Sequence, residues 1–333
     1  MEKYMNTSTQ EEIKKIVNKI KAKQENIKTV FFVGCGASLS ELYVGKYFLQ
    51  QNSQKLQSYL INANEFNYAK PVSANDQSVV IVASLGGTTD ESIEAVSRAK
   101  SWGCHTIAVT HEPKSDLTTD ADYTVTHGFF ESYAAKAAKQ KVVLEIAVEV
   151  LQQFEGYKDY KDMSDGINKI DDVINSAASN SYNNAVKFAD RYKDDSTIYT
   201  LASGPTFGSG YSTANFIFME MQWISSPLIN SAEYFHGPIE LTNTATPYLL
   251  FMNEGSSRHL DARALAFLQR FNAKVTVLDA KDYGLAVSFP ESVVDYFNPL
   301  LLTGVMRVHL EQLAIARKHP YTKRQYMWKL ESY

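Results

Sequence analysis

Short apolar runs alternate along the chain with stretches in which apolar residues recur at helical spacing, and glycine-rich turns separate the two. Apolar runs of this kind suit strands covered on both faces, and the longer periodic stretches suit helices packed over them. The alternation therefore predicts a parallel-sheet α/β architecture. Thr29 to Val33 predicts a strand that ends at Gly34-Cys35-Gly36-Ala37-Ser38 and passes into an amphipathic helix from Leu39 to Leu49. Ser78 to Ala83 predicts a second strand, Ser84 to Thr89 its turn, Asp90 to Trp102 a helix, and Thr106 to Val109 a third strand. Ahead of these, Ser8-Thr9-Gln10-Glu11 has capping-box wording and precedes Ile13, Ile16, Val17 and Ile20 at helical spacing, which predicts a lead-in helix.

The pattern recurs. Shifting the sequence by 168 residues lays Gly36 on Gly204, Gly87 on Gly255, and the strand with Val109 on the one with Val277. A spacing kept across three elements, at close to half of the 333 residues, points to duplication of one domain. The expected organisation is an N-terminal helix over 1–27, a doubly wound parallel-sheet domain over 28–160, a helical connector over 161–193, and a second such domain with a tail over 194–333.

Composition narrows the function classes. The formal charge is −4 and the basic residues are scattered, so no nucleic-acid footprint is present. The lead-in helix has no helix-turn-helix extension, which argues against a DNA-binding regulator. Met1 to Asn6 lacks the apolar core of a signal peptide, and no run approaches the ~20 apolar residues that span a bilayer. A cytoplasmic protein without membrane contact is expected. Cys35 and Cys104 are too few and too far apart for a disulfide framework or a zinc set, and are read as small core residues.

In a parallel α/β sheet, ligands sit beyond the carboxyl ends of the strands, where helix N-termini favour anions. The turn Ser84-Leu85-Gly86-Gly87-Thr88-Thr89 lies at such a point and offers the hydroxyls of Ser84, Thr88 and Thr89 with the amides of Gly86 and Gly87. Ser38, near the start of a neighbouring helix, adds a fourth hydroxyl. The Walker spacing and the dinucleotide fingerprint are both absent. A capped helix start would look similar, and the repeat helps to decide. At the equivalent turn of the second half Ser84 becomes Met252 and Gly86 becomes Glu254, which predicts a carboxylate where a phosphate would sit and hence an anion site in the first half only.

The second half carries Phe218-Met219-Glu220-Met221-Gln222-Trp223 at a helix end, then Ser231-Ala232-Glu233-Tyr234-Phe235-His236-Gly237-Pro238. Phe216, Phe218 and Trp223 stand at helical spacing and are read as core. A helical Glu sixteen residues ahead of a His-Gly-Pro turn, together with the hydroxyl-rich turn of the first half, resembles the sugar isomerase (SIS) domain family. The C-terminal wording His319-Pro320 and Tyr326-Met327-Trp328-Lys329 is most similar to the fructosamine-6-phosphate deglycases, the fructoselysine type in particular.

The resemblance covers the whole chain and implies two tandem flavodoxin-like domains. It implies phosphate binding by Ser38, Ser84 and Thr89, a catalytic base in Glu220, and ring opening by His236. Where relatives carry Ser-x-Ser-Gly-x-Thr this chain has Leu85 and Gly86, so one hydroxyl is missing. The family's C-terminal lysine has no match in register, Lys329 being only nearby. His127, Tyr133 and Lys136 fall where the family's linker nears the sugar. The implied activity is cleavage of an Amadori compound such as fructoselysine 6-phosphate to glucose 6-phosphate and free amine, with no metal or organic cofactor. The implied assembly is a homodimer with composite sites, or a higher oligomer built from it. Glucoselysine-6-phosphate deglycation, aldose–ketose isomerisation and a non-catalytic sugar-phosphate sensor are the alternatives.

Overall fold

The computed structural model describes residues 8–331, so the stretch Met1 to Asn6 discussed above lies outside the described residues. The chain divides into two compact units, one ending at Asp171 and the other beginning at Asp172. The helices are α1 (Gln10–Lys23), α2 (Gly36–Asn52), α3 (Ala63–Tyr68), α4 (Asp90–Ser101), α5 (Asp116–Thr119), α6 (Ala138–Phe154), α7 (Tyr160–Tyr192), α8 (Phe207–Ser212), α9 (Arg258–Arg270), α10 (Leu285–Ser288) and α11 (Val294–Ala316).

The first unit is built on a five-stranded sheet of β1 (Thr29–Gly34), β2 (Gln57–Asn62), β3 (Ser78–Ala83), β4 (His105–Thr110) and β5 (Tyr123–Thr126). All neighbours pair in parallel, in the order β2-β1-β3-β4-β5. Strands β1 and β3 are buried at every residue, which explains why they read as unbroken apolar runs. The α1 capping box forms, one residue later than the sequence wording suggests. Thr9 is the N-cap and Glu12 its N3 partner, because Ser8 is instead drawn to β5 through its N–H to the Thr126 carbonyl. Helix α2 begins at Gly36 rather than Leu39, which puts Ser38 in its first turn.

The second unit has a four-stranded parallel sheet of β6 (Tyr199–Ala202), β7 (Leu228–Asn230), β8 (Pro247–Met252) and β9 (Lys274–Asp279), in the order β7-β6-β8-β9. Its strand order matches the first four positions of the other sheet, and the 168-residue shift brings β3 to β8 and β4 to β9 within one residue. After β6 a short 3-10 turn and α8 lead into a π-helix over Thr213–Gln222, which ends at Trp223 with φ 55°. The π winding upsets the helical spacing read from the sequence. Phe218 is fully buried, whereas Trp223 is 41% exposed and does not belong to the core. Cys104 is buried as expected, while Cys35 is half-buried at the N-cap of α2.

Candidate active site

In the first sheet the order reverses between β1 and β3, and the register pairs their last residues, Gly34 with Ala83. Both strands therefore release their turns side by side into the crevice where ligands of this topology bind. Ser38 lies in the first turn of the helix after β1, and Ser84 to Thr89 form the turn after β3.

The β3 turn points its carbonyls inward. The Leu85 carbonyl accepts from the His111 N–H at 3.0 Å and from Thr110 Oγ1 at 3.1 Å, and the Gly87 carbonyl accepts from the Leu117 N–H at 3.0 Å. The N–H groups of Gly86, Gly87, Thr88 and Thr89 donate to no protein atom among the described residues. Gly87 has φ 66°, and a Cβ there would lie 2.0 Å from Ser115 Oγ, so this bend is open to glycine alone. Gly86 meets nothing closer than Thr88 Oγ1 at 3.6 Å, which leaves room for a hydroxymethyl group at this position. Ser84 and Thr89 share a hydrogen bond of 3.0 Å, and Thr89, although it is the N-cap of α4, makes no side-chain cap bond. The hydroxyls of Ser84 and Thr89 thus pair with one another instead of satisfying the helix, and the turn is a cradle of backbone donors without protein acceptors among the described residues.

The matching turn after β8 is already filled. Asn298 Oδ1 accepts the Glu254 N–H at 2.6 Å, Asp295 Oδ1 accepts the Ser256 N–H at 3.0 Å, and Ser256 Oγ donates to Asp295 Oδ2 at 2.6 Å. The sequence assigned the intruding carboxylate to Glu254, and the structure corrects this. Glu254 turns away to accept from the Ala286 N–H at 3.0 Å, and the carboxylate over the turn is Asp295 of α11. A Cβ on Gly255 would stand 1.5 Å from Asp295 Oδ1, so the carboxylate packs directly against the turn.

Glu220 stands near the end of the π-helix, with its side chain 19% exposed. Its Oε1 is held at 2.6 Å by Nη2 of Arg324, while Oε2 has no protein partner among the described residues. Arg324 is anchored in turn. Its Nη1 donates to the Tyr321 and Lys323 carbonyls at 2.7 and 3.0 Å, and its guanidinium carbon lies 5.1 Å from the centroid of the Trp328 ring. The C-terminal tail is fastened to the same helix end by the bond from Gln222 Nε2 to the His319 carbonyl and by the packing of Trp223 on His319. Arg324 escaped the sequence reading because nothing in a tail without periodicity marks one basic residue above its neighbours. Lys329 is exposed and forms no ion pair among the described residues.

His236 follows β7 on an exposed turn, with its N–H bonded to the Glu233 carbonyl and its ring without a hydrogen-bond partner among the described residues. Glu233 and Glu240 are exposed, and among the described residues neither carboxylate bonds to the ring. The helix carrying Glu220 runs back antiparallel to β6 and finishes where the chain is about to enter β7, as the Ile198–Ser225 bond shows. Glu220 therefore belongs to the amino end of this sheet and His236 to its carboxyl end, separated by the run from Ile224 to Ser231, roughly 25 Å of extended chain. Within the second unit the two do not meet.

His127 is buried, its Nδ1 bonded to the Gly128 carbonyl at 2.8 Å. Burial, reinforced by the charge of Lys139, pushes its pKa down to about 3, so its ring is neutral at ordinary pH. Lys136 lies against Phe129 and donates to the Phe129 carbonyl at 2.6 Å. Among the described residues no cluster of His, Cys, Asp and Glu suits a metal, and no helix is long and apolar enough to cross a membrane.

Comparison with known proteins covers nearly the whole chain. A family model described as the SIS domain matches residues 25–127. The fructosamine deglycase FrlB of Bacillus subtilis is 36% identical over 93% of this chain and 94% of its own length. The fructoselysine 6-phosphate deglycase of Escherichia coli K12 is 25% identical over 93% of this chain and 88% of that protein. A solved Salmonella typhimurium structure given as a phosphosugar isomerase aligns with a TM-score of 0.94 at 37% identity, covering 98% of both chains. The C-terminal domain of glucosamine-fructose-6-phosphate aminotransferase from Francisella tularensis, at 17% identity and a TM-score of 0.76 over 94% of each chain, shares the fold. With identity above a third sustained along nearly the full length of both chains, this protein belongs to the SIS-domain family that includes the fructosamine deglycases.

Proposed function

We propose that the protein is a fructosamine-6-phosphate deglycase, cleaving an Amadori compound such as fructoselysine 6-phosphate with water to glucose 6-phosphate and a free amine. The observation that carries this reading is the donor cradle after β3, in a chain whose full-length relatives include deglycases. Ser38, Ser84, Thr88, Thr89 and the amides of Gly86 and Gly87 hold the phosphate. That group is remote from the reacting carbons, so its binding energy serves to orient C1 and C2. His236 transfers the proton that opens the sugar ring. Glu220 takes a proton from C1 on Oε2, giving the 1,2-enaminol, and returns it to C2. The resulting imine adds water and releases the amine. Arg324 holds the other oxygen, which fixes the carboxylate in one orientation.

The opposite placement of Glu220 and His236 supports a homodimer in which each site takes its histidine from the partner subunit. Two free cysteines are in keeping with a reducing, cytoplasmic setting. The test is incubation with fructoselysine 6-phosphate, reading glucose 6-phosphate with a coupled dehydrogenase. Absence of release overturns the assignment, and interconversion of fructose 6-phosphate with glucose 6-phosphate in its place would identify an isomerase. Glu220→Gln and His236→Gln should each be inactive, and mixing the two after dissociation should restore about a quarter of the activity if the sites are shared. No recovery would place both residues in one chain.

A further inference from the structure

Lys139 is a lysine that the sequence reading passed over and the fold hides: in the first turn of α6, its side chain is 4% exposed. An ammonium that deep in protein loses several kcal/mol of hydration and persists only where partners replace the water. Here Nζ lies 2.6 Å from Glu41 Oε2 and donates to Ser38 Oγ at 2.8 Å. Ser38 and Glu41 stand three residues apart on α2, so one lysine reaches both from the facing helix. An ammonium has three protons, and the third meets no acceptor among the described residues. Beside it His127 is buried with Nε2 unpartnered, a second polar atom held dry at this end of the sheet.

The direction of the Ser38 bond carries the argument. Because Ser38 Oγ accepts from Lys139, its own proton is left to donate to another acceptor, and Ser38 stands as a donor in the first turn of α2, beside the crevice between the β1 and β3 turns. A simple ion pair between α2 and α6 would need only Glu41. The added bond to a hydroxyl at the anion crevice ties the lysine to the ligand.

We infer that Lys139 is a further phosphate-site residue: it holds Ser38 in its donor orientation and supplies the positive charge that the hydroxyl and amide cradle lacks. In the unliganded protein Glu41 neutralises Lys139. A bound phosphate gives the ammonium a second anion, and the site then discriminates in favour of dianionic sugar phosphates over neutral sugars. This inference rests on the phosphate role assigned to the β3 turn.

The test uses inorganic phosphate as the probe, measured by calorimetry on the full chain. The wild type should bind it, and if it does not, the phosphate reading of the β3 turn itself fails. Lys139→Met leaves the half-buried Glu41 unpaired, so the double variant Glu41→Gln/Lys139→Met, which removes both charges together, keeps the comparison sound. The double variant should bind phosphate roughly ten- to a hundredfold more weakly, the worth of a charge-assisted hydrogen bond, and raise KM with little change in kcat. Glu41→Gln alone should bind phosphate at least as tightly as the wild type and gain more thermal stability on adding it. Wild-type phosphate affinity in the double variant overturns the inference while leaving the cradle in place. So does an equal loss of affinity in Glu41→Gln alone, which would mark the pair as scaffold.

Discussion

The turns after β3 and after β8 leave parallel sheets of matching strand order at matching points, yet they treat their backbone donors in opposite ways. After β3 the carbonyls of Leu85 and Gly87 are tied down by His111, Thr110 and Leu117, and the amides from Gly86 to Thr89 have no protein acceptors among the described residues. After β8 the donors are consumed by Asp295 and Asn298, both on α11. The nest of amides after β8 is closed with a carboxylate of its own chain, and the one after β3, the proposed phosphate site, is left open. The difference lies less in the turns themselves than in what the following helices send toward them.

The strongest way to break the contrast is to close the open turn. Ser84→Asp places a carboxylate at a buried position beside Thr89, and it should weaken inorganic phosphate binding and raise KM by more than about a hundredfold, through like-charge repulsion in a desolvated site. Calorimetry that finds affinity retained would falsify the anion reading of this turn. The converse change, Asp295→Ala, strips the acceptors from the Ser256 N–H and hydroxyl, and should lower unfolding free energy by about 1–3 kcal/mol in urea titrations. Steady-state turnover at a temperature where the variant is folded should stay at the wild-type level. Gly86→Ser should sharpen the contrast further. Its φ is not positive and its Cβ has space, so the added hydroxyl should tighten phosphate by about 0.5–1.5 kcal/mol, or up to roughly tenfold.

The smallest effect concerns two buried histidines, one in each unit. Burial lowers His309 to about 4, as burial and then Lys139 lower His127 to about 3, from 6.5. The unfolded chain binds protons below 6.5 that the folded rings refuse, so each group makes stability fall as pH drops from 6.5 toward those values. Thermal melts across that window should flatten in His127→Gln and in His309→Gln. Removing the Lys139 charge should flatten the His127 part alone, because no lysine contributes to the lowering of His309.

Sequence legibility followed burial. β3 and its turn were readable to the residue because a strand covered on both faces has no choice but an apolar run, and glycine marks its end. β2, β5 and β7 escaped notice because edge strands mix polar residues into short runs, as Gln57-Ser58-Tyr59-Leu60-Ile61-Asn62 does. The α1 cap was misplaced by one residue because Ser8 and Thr9 are both able caps and Glu11 and Glu12 both able partners. Only the tie of Ser8 to β5 separates them. Lys139 meets Ser38 across 101 positions of sequence, and Arg324 meets Glu220 from a tail without repeating pattern. Contacts of that span are set by helix packing, which local spacing does not encode. The carboxylate assigned to Glu254 belongs to Asp295 for the same reason.

The π winding of Thr213–Gln222 has a consequence for how this protein can change. A helix that already accommodates surplus residues can lose one and relax toward ordinary α geometry without breaking. Such a loss ahead of Glu220 would turn its carboxylate by about 100° about the helix axis. A deletion in this segment would thus separate survival of the fold from aim of the proposed base, giving a well-folded protein whose Glu220 carboxylate points elsewhere. Among the described helices of the second unit, this is the one in which a change in length is a route to a new reaction.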